Sequence, residues 1–93
     1  MRFEWSESKN QENVAKHGVN FHDAQSAFLD PNRLIFEDEK HSHAEARFFC
    51  FGKCDDEVLT VRFTLRDDII RIFGAGFWRK GRKIYEEENR IHR

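Results

Sequence analysis

ARFFCFGKCDDEVLTVRFTLRDDIIRIFGAGFW, residues 46–78, holds three strand-like runs (RFFCFGK, VLTVRFTLR and IIRIFGAGFW) separated by acidic, turn-forming pieces. The middle run alternates most clearly. Leu59, Val61, Phe63 and Leu65 fall on one side of a strand, and Thr60, Arg62, Thr64 and Arg66 on the other. An unpaired arginine is too costly to desolvate inside a dry core. One face of the sheet is therefore expected to pack on the rest of the chain, and the other to carry positive charge to solvent or to an anionic ligand. Lys53–Glu57 and Asp67-Asp68 are short enough for antiparallel hairpins. Gly74 and Gly76 suggest a bulge or a close backbone approach late in the third run.

Outward from that stretch, Phe3 and Trp5 of FEW read as one face of an edge strand. Ser6 or Ser8 can cap a helix running to about His17, and Ser8 with Gln11 has capping-box spacing. Gly18 after Lys16 and His17 is a C′ glycine behind two cations. Asn20 caps a second helix whose stripe is Phe21, Ala24, Ala27 and Phe28, and Asp30-Pro31 stops it. A strand is expected over Arg33–Glu37, followed by a polar connection, DEKHSHAEA, too charged to be buried. A last helix starts near Gly81 with its charges reversed relative to the helix dipole. Arg79, Lys80, Arg82 and Lys83 crowd its N-terminal end and Glu86–Glu88 the other, an order that an anion docking at that end would offset.

With 93 residues the chain makes a single domain with a modest core, in which ten phenylalanines supply much of the apolar area. The net charge of −1 conceals a polarity along the chain. Residues 62–93 carry nine Lys/Arg against five Asp/Glu, and residues 1–61 carry seven against twelve. A basic surface facing nucleic acid is one reading, and mutual neutralisation within the fold is the other. No signal-peptide pattern or membrane-length apolar run is visible, so a cytoplasmic setting with reduced Cys50 and Cys54 is expected. His41-Ser42-His43 with Glu45, or Cys50 with Cys54, offers metal-ligand types, but the spacing is poor and no metal or other cofactor is expected. No helix-turn-helix pattern supports independent DNA binding.

The string W-S-E-S-K-x3-N-x2-KHGV-x-F-x2-A-x3-F-x-DP, from Trp5 to Pro31, resembles the opening of the BrnT toxins of bacterial toxin–antitoxin systems. The likeness continues through His41, Glu45, Arg47, Phe51-Gly52, Thr64, Arg66, Arg71-Ile72 and Tyr85-Glu86, nearly the whole chain. It implies an α+β, RelE-like fold: two N-terminal helices on an antiparallel sheet of about four to five strands, with a C-terminal helix. It also implies a ribonuclease that inhibits translation and is neutralised by a BrnA-like ribbon-helix-helix antitoxin. DNA contact would come through that antitoxin, and toxin–antitoxin units are expected to pair. Typical members carry Ser-Ala-Arg-x-Ala-Thr after the last strand. Here Gly76 stands at the arginine, with Arg79 and Lys80 as nearby cations. That departure keeps open a different class of function, a catalytically weak antitoxin-binding module acting in operon autorepression.

Metal-free RNA cleavage requires a base for the 2′-OH, cations for the charge on the pentacoordinate phosphate and an acid for the leaving oxygen. Arg47, Arg62, Arg66 and Arg71 are the candidate cations, expected to carry the larger share, and His41, Glu45 and Tyr85 are the candidate proton-transfer groups. Lys16, His17, Phe49, Phe51, Arg79, Lys80, Arg82 and Lys83 are the candidate RNA-binding residues, rings beside cations being suited to unpaired bases. Each has a plainer reading: surface ion pairs with Asp55–Glu57 or Asp67-Asp68 for the arginines, core for the phenylalanines, helix-end charge for His17.

Overall fold

The computed structural model describes residues 1–90. Its two tight hairpins form where the acidic pairs stand. Asp67 and Asp68 both adopt positive φ (50° and 65°), and Asp55 does too (57°). Aspartate tolerates this region better than most side chains, and the paired left-handed residues follow the twist of the flanking strands. The hairpins join β3 (Arg47–Cys54), β4 (Glu57–Arg66) and β5 (Ile69–Gly76). The outer strands are β1 (Arg2–Trp5) and β2 (Leu34–Glu37), giving the order β1-β5-β4-β3-β2.

β1 runs parallel to β5, with Phe3 opposite Ile70 and Trp5 opposite Ile72, so the sheet is mixed rather than antiparallel. A parallel neighbour needs a long crossover. Nearly the whole chain lies between β1 and β5 and supplies it. Where β1 ends, α1 (Glu7–His17) takes over the edge. The Asn13 carboxamide accepts from the Ala75 N–H (3.2 Å) and donates to the Ala75 and Val19 carbonyls (2.8 and 2.9 Å), standing in for the missing strand.

α1 is capped by Ser6, which accepts from Lys9 N–H; the Ser8–Gln11 box is not used. Gly18 ends the helix at φ 69°. Asn20 accepts from the Asp23 N–H at 2.8 Å and starts α2, only Phe21–Ala24, which tightens into a 3₁₀ turn over Gln25–Leu29. The second N-terminal helix is thus half α and half 3₁₀, and its stripe of Phe21, Ala24, Ala27 and Phe28 is buried. The rings of Phe3, Phe28, Phe63 and Phe48 meet in succession at 5.1–5.4 Å across this face. The 3₁₀ turn lies so close to β3 that a Cβ at Gly52 would sit 2.2 Å from the Ala27 carbonyl oxygen.

The opposite face is not left open as the alternation predicts. The last helix, α3, begins at Arg79, not Gly81, and runs to Glu88 across half of it. Gly81 allows the approach, since a Cβ there would fall 2.0 Å from Thr60 Oγ1. A second apolar cluster forms there from Phe51, Val58 and Tyr85, flanked by Leu34, Phe49 and Ile84. Tyr85 donates to Asp30 Oδ2 at 2.6 Å, and the same carboxylate accepts from the N–H groups of Lys53 and Asn32 (both 2.8 Å). Leu65, expected in the core, is 50% exposed, because β4 runs past the helices toward its turn.

Candidate active site

The half of this face that α3 leaves uncovered carries the cations, and a bulge arranges them. Arg62 pairs with Gly74 but Phe63 pairs with Ile72, so Phe73 is an extra residue. Bulges turn side chains that a regular strand would send elsewhere. Here the Phe73 ring stands beside two guanidinium groups, Arg47 at 4.9 Å and Arg62 at 5.1 Å from its centroid. Cation–ring attraction holds both side chains without neutralising them. Among the described residues, neither arginine has a carboxylate within ion-pairing distance.

Two adjoining hollows, each of about 210 Å³, share Phe73 and Lys9. The first is lined by Ser6, Lys9, Glu45, Arg47, Thr64, Arg66 and Arg71, the second by Lys9, Glu12, Asn13, Lys16, His17, Arg62, Gly74 and Trp78. The structure therefore brings all four candidate arginines together with Glu45, Lys16 and His17. It also separates them by state. Arg66 meets Glu45 at 3.4 Å and Arg71 meets Glu4 at 2.5 Å, so these two are paired, though with other acids than those of the turns. His17 lies edge-on to Trp78 at 5.1 Å.

The connection before β3 is folded back on itself rather than loose. Asp38 N–H donates to the Arg47 carbonyl (2.7 Å), Ser42 Oγ donates to the Asp38 carbonyl (2.8 Å), and Arg47 N–H donates to Ser42 Oγ (2.8 Å). Contrary to the expectation of a wholly solvated segment, Asp38 is buried at 7% exposure. Its Oδ2 holds His41 Nδ1 at 2.8 Å, and the half-exposed ring shares a further hollow with His43, Glu45, Arg47 and Arg66. With Nδ1 so engaged, Nε2 is the ring nitrogen left for chemistry.

The remaining candidates lie elsewhere. Tyr85 is buried beneath α3, where burial and the Asp30 carboxylate push its hydroxyl up to about 12. Phe51 is covered by α3, and half-buried Phe49 stacks on it at 5.8 Å. Phe49, Phe51 and Lys80 line an apolar hollow with Phe36, Trp78 and Ile84. Arg79 and Arg82 share a hollow with Asp56 and Glu57, so carboxylates of the chain itself already stand near that end of α3. Lys83 meets Glu87 at 4.0 Å. A Cβ at Gly76 would lie 2.5 Å from the Trp78 ring, so the indole fills the space above that residue. Cys50 is buried and its thiol raised to about 12 by burial.

Lys9, Phe73 and Trp78 line the two hollows and Asp38 orients His41, and none of the four was among the candidate site residues read from the sequence. Gly74 and Gly76, on either side of Ala75, were the one signal for the bulge. The spacing of Asp38 and His41, three apart in a short helical turn, was the signal for their pairing.

No helix among the described residues is long and apolar enough to cross a membrane. Comparison with curated proteins finds no significant match. The family profile described as "Ribonuclease toxin, BrnT, of type II toxin-antitoxin system" matches residues 5–81, from Trp5 of β1 through the cationic face to the first turn of α3. With that span embracing every strand that holds the site, the chain belongs to the BrnT family of ribonuclease toxins of type II toxin–antitoxin systems.

Proposed function

We propose that the chain cleaves RNA without a metal ion, through a RelE-like arrangement in which Arg47 and Arg62 receive the scissile phosphate. The observation that carries this reading is the pair of guanidinium groups held on Phe73, with no carboxylate partner among the described residues. Charge fixed in advance stabilises a developing dianionic phosphate without reorganising at the moment of reaction. Arg66 and Arg71, already paired, support the site rather than bind the phosphate directly. His41, oriented by Asp38, takes the 2′-OH proton with Glu45 beside it; the 2′-oxygen bonds to phosphorus as the P–O5′ bond breaks, leaving a 2′,3′-cyclic phosphate, and the departing 5′-oxygen takes its proton from water. Lys9, Lys16 and His17 continue the positive track, and Trp78 offers a ring for an adjacent base. Tyr85 serves the fold. In the cell this activity stops translation and is restrained by a BrnA-like ribbon-helix-helix antitoxin, through which the complex reaches DNA.

The growth of cells expressing the free chain tests this. Wild type arrests growth, Arg62→Ala and Arg47→Ala do not, and Arg79→Ala still does. Arrest that persists in both site variants, at equal protein level, rules the assignment out. A second reading, the autorepression module, is favoured by Gly76 under Trp78, where no arginine side chain can project. It predicts that even the wild-type chain neither arrests growth nor cuts RNA.

A further inference from the structure

β2 is the outermost strand on the side of the sheet away from β1, and it exposes Ile35 (50%) and Phe36 (42%). Uncovered edges pair readily, and proteins ordinarily blunt them with a lysine, a proline or a bulge. None of these interrupts Leu34–Glu37. The segment Arg33-Leu34-Ile35-Phe36-Glu37 is complementary to itself when reversed. Laid antiparallel about Ile35, it sets Arg33 opposite Glu37, Leu34 opposite Phe36 and Ile35 opposite Ile35.

We propose that the occupant of this edge is a second copy of the chain, joined by an antiparallel β2–β2 pairing centred on Ile35. Residues directly opposite each other share a face. Arg33, Ile35 and Glu37 lie on the face that packs α2, so the contact there is Ile35 on Ile35 between two Arg33–Glu37 ion pairs. On the other face each Leu34 covers the other copy's half-exposed Phe36. Both charged residues are exposed, and among the described residues neither has an ion-pair partner; Arg33 Nη1 donates only to the Asp30 carbonyl, at 3.1 Å. A two-fold axis can pass through either kind of antiparallel residue pair, so this centre suits either hydrogen-bonding phase. Moving the centre by one residue sets Arg33 or Glu37 against Ile35 and loses both ion pairs. The axis stands perpendicular to the sheet. The paired copies therefore form one continuous sheet with both arginine-bearing halves on the same side. This pairing stands independently of RNA cleavage.

The test is sedimentation equilibrium of the full-length chain, free of antitoxin, across the micromolar range. Wild type forms a dimer. Arg33→Glu places carboxylate against carboxylate twice and weakens association by about tenfold, like charges directly opposite being unfavourable. Arg33→Glu with Glu37→Arg restores it, which a merely misfolded variant cannot do. Cys50 lies opposite Ile35 across β2 and β3 and would capture a cysteine there, so in a Cys50→Ala, Cys54→Ser background Ile35→Cys gives a disulfide-linked dimer on mild oxidation, since opposed strand residues stand within disulfide reach. A chain monomeric throughout the range, as expected if an antitoxin strand is what covers β2, overturns the proposal. So does a dimer indifferent to Arg33→Glu, or an Ile35→Cys chain that fails to cross-link.

Discussion

Phe73 holds two cations that have no carboxylate partner among the described residues, and its replacement separates packing from charge. Phe73→Leu keeps an apolar side chain at the bulge but removes the ring face from Arg47 and Arg62. Cation–ring contacts contribute about 0.5–2 kcal/mol each, so the folded variant is expected to cleave RNA at least about tenfold more slowly. Single-turnover rates at matched thermal stability check this. Asp38→Asn removes the carboxylate that fixes His41 and leaves the shape unchanged. The expected result is a lower single-turnover rate at unchanged thermal stability, which loss of structure does not produce. Tyr85→Phe acts on stability instead. It deletes the bond to Asp30, and hydrogen bonds to charged groups contribute about 1.5–3 kcal/mol.

The pH dependence of that loss has a definite sign. Burial by itself raises the Asp30 carboxyl, but the Tyr85 hydroxyl, the Lys53 and Asn32 N–H groups and the Lys53 charge outweigh it, leaving the carboxyl below its usual value. A depressed carboxyl contributes stability above its unfolded value, and that contribution disappears as pH falls through the folded one. The difference between wild type and Tyr85→Phe should therefore be full at neutral pH and shrink below about pH 4. Urea melts across pH measure it.

At the scale of elements, the β4–β5 hairpin carries removable strain. Asp67 and Asp68 both hold positive φ, where a side chain costs roughly 1–2 kcal/mol relative to glycine, partly offset by glycine's greater freedom when unfolded. Asp68→Gly is expected to raise stability by up to about 1 kcal/mol with RNA cleavage unchanged, as read by chemical denaturation and a cleavage assay. α3 has no side-chain N-cap and no acid in its first turn, while Asp56 and Glu57 stand in the hollow beside Arg79 and Arg82. Its docking therefore rests on Gly81, Tyr85 and Ile84 more than on its own helical preferences.

For the whole molecule, what was legible in the sequence was what is locally encoded. The period of two in β4, the acidic hairpins, the Gly18 and Asn20 caps and the buried stripe through Phe28 each depend on residues close in sequence. The parallel pairing of β1 with β5 has no such signal, because its partners stand more than sixty positions apart. The same holds for α3 covering half the second face, and for Asn13 completing the β5 edge. The site divides in the same way. Alternation identified the arginines, but which were already paired depended on Glu4 and Glu45 arriving from distant elements. The bulge that brings Phe73 to Arg47 and Arg62 needs the register of two strands.

The central claim is that Arg47 and Arg62, held on Phe73, carry the phosphate. The most direct test is the single-turnover cleavage rate of an unstructured RNA by purified wild-type, Arg47→Ala and Arg62→Ala chains, each shown to be folded. The account predicts a drop of about 10²–10³ in each variant, the usual loss when a pre-positioned electrostatic group is removed. A folded double variant, Arg47→Ala with Arg62→Ala, that cleaves at the wild-type rate would contradict it.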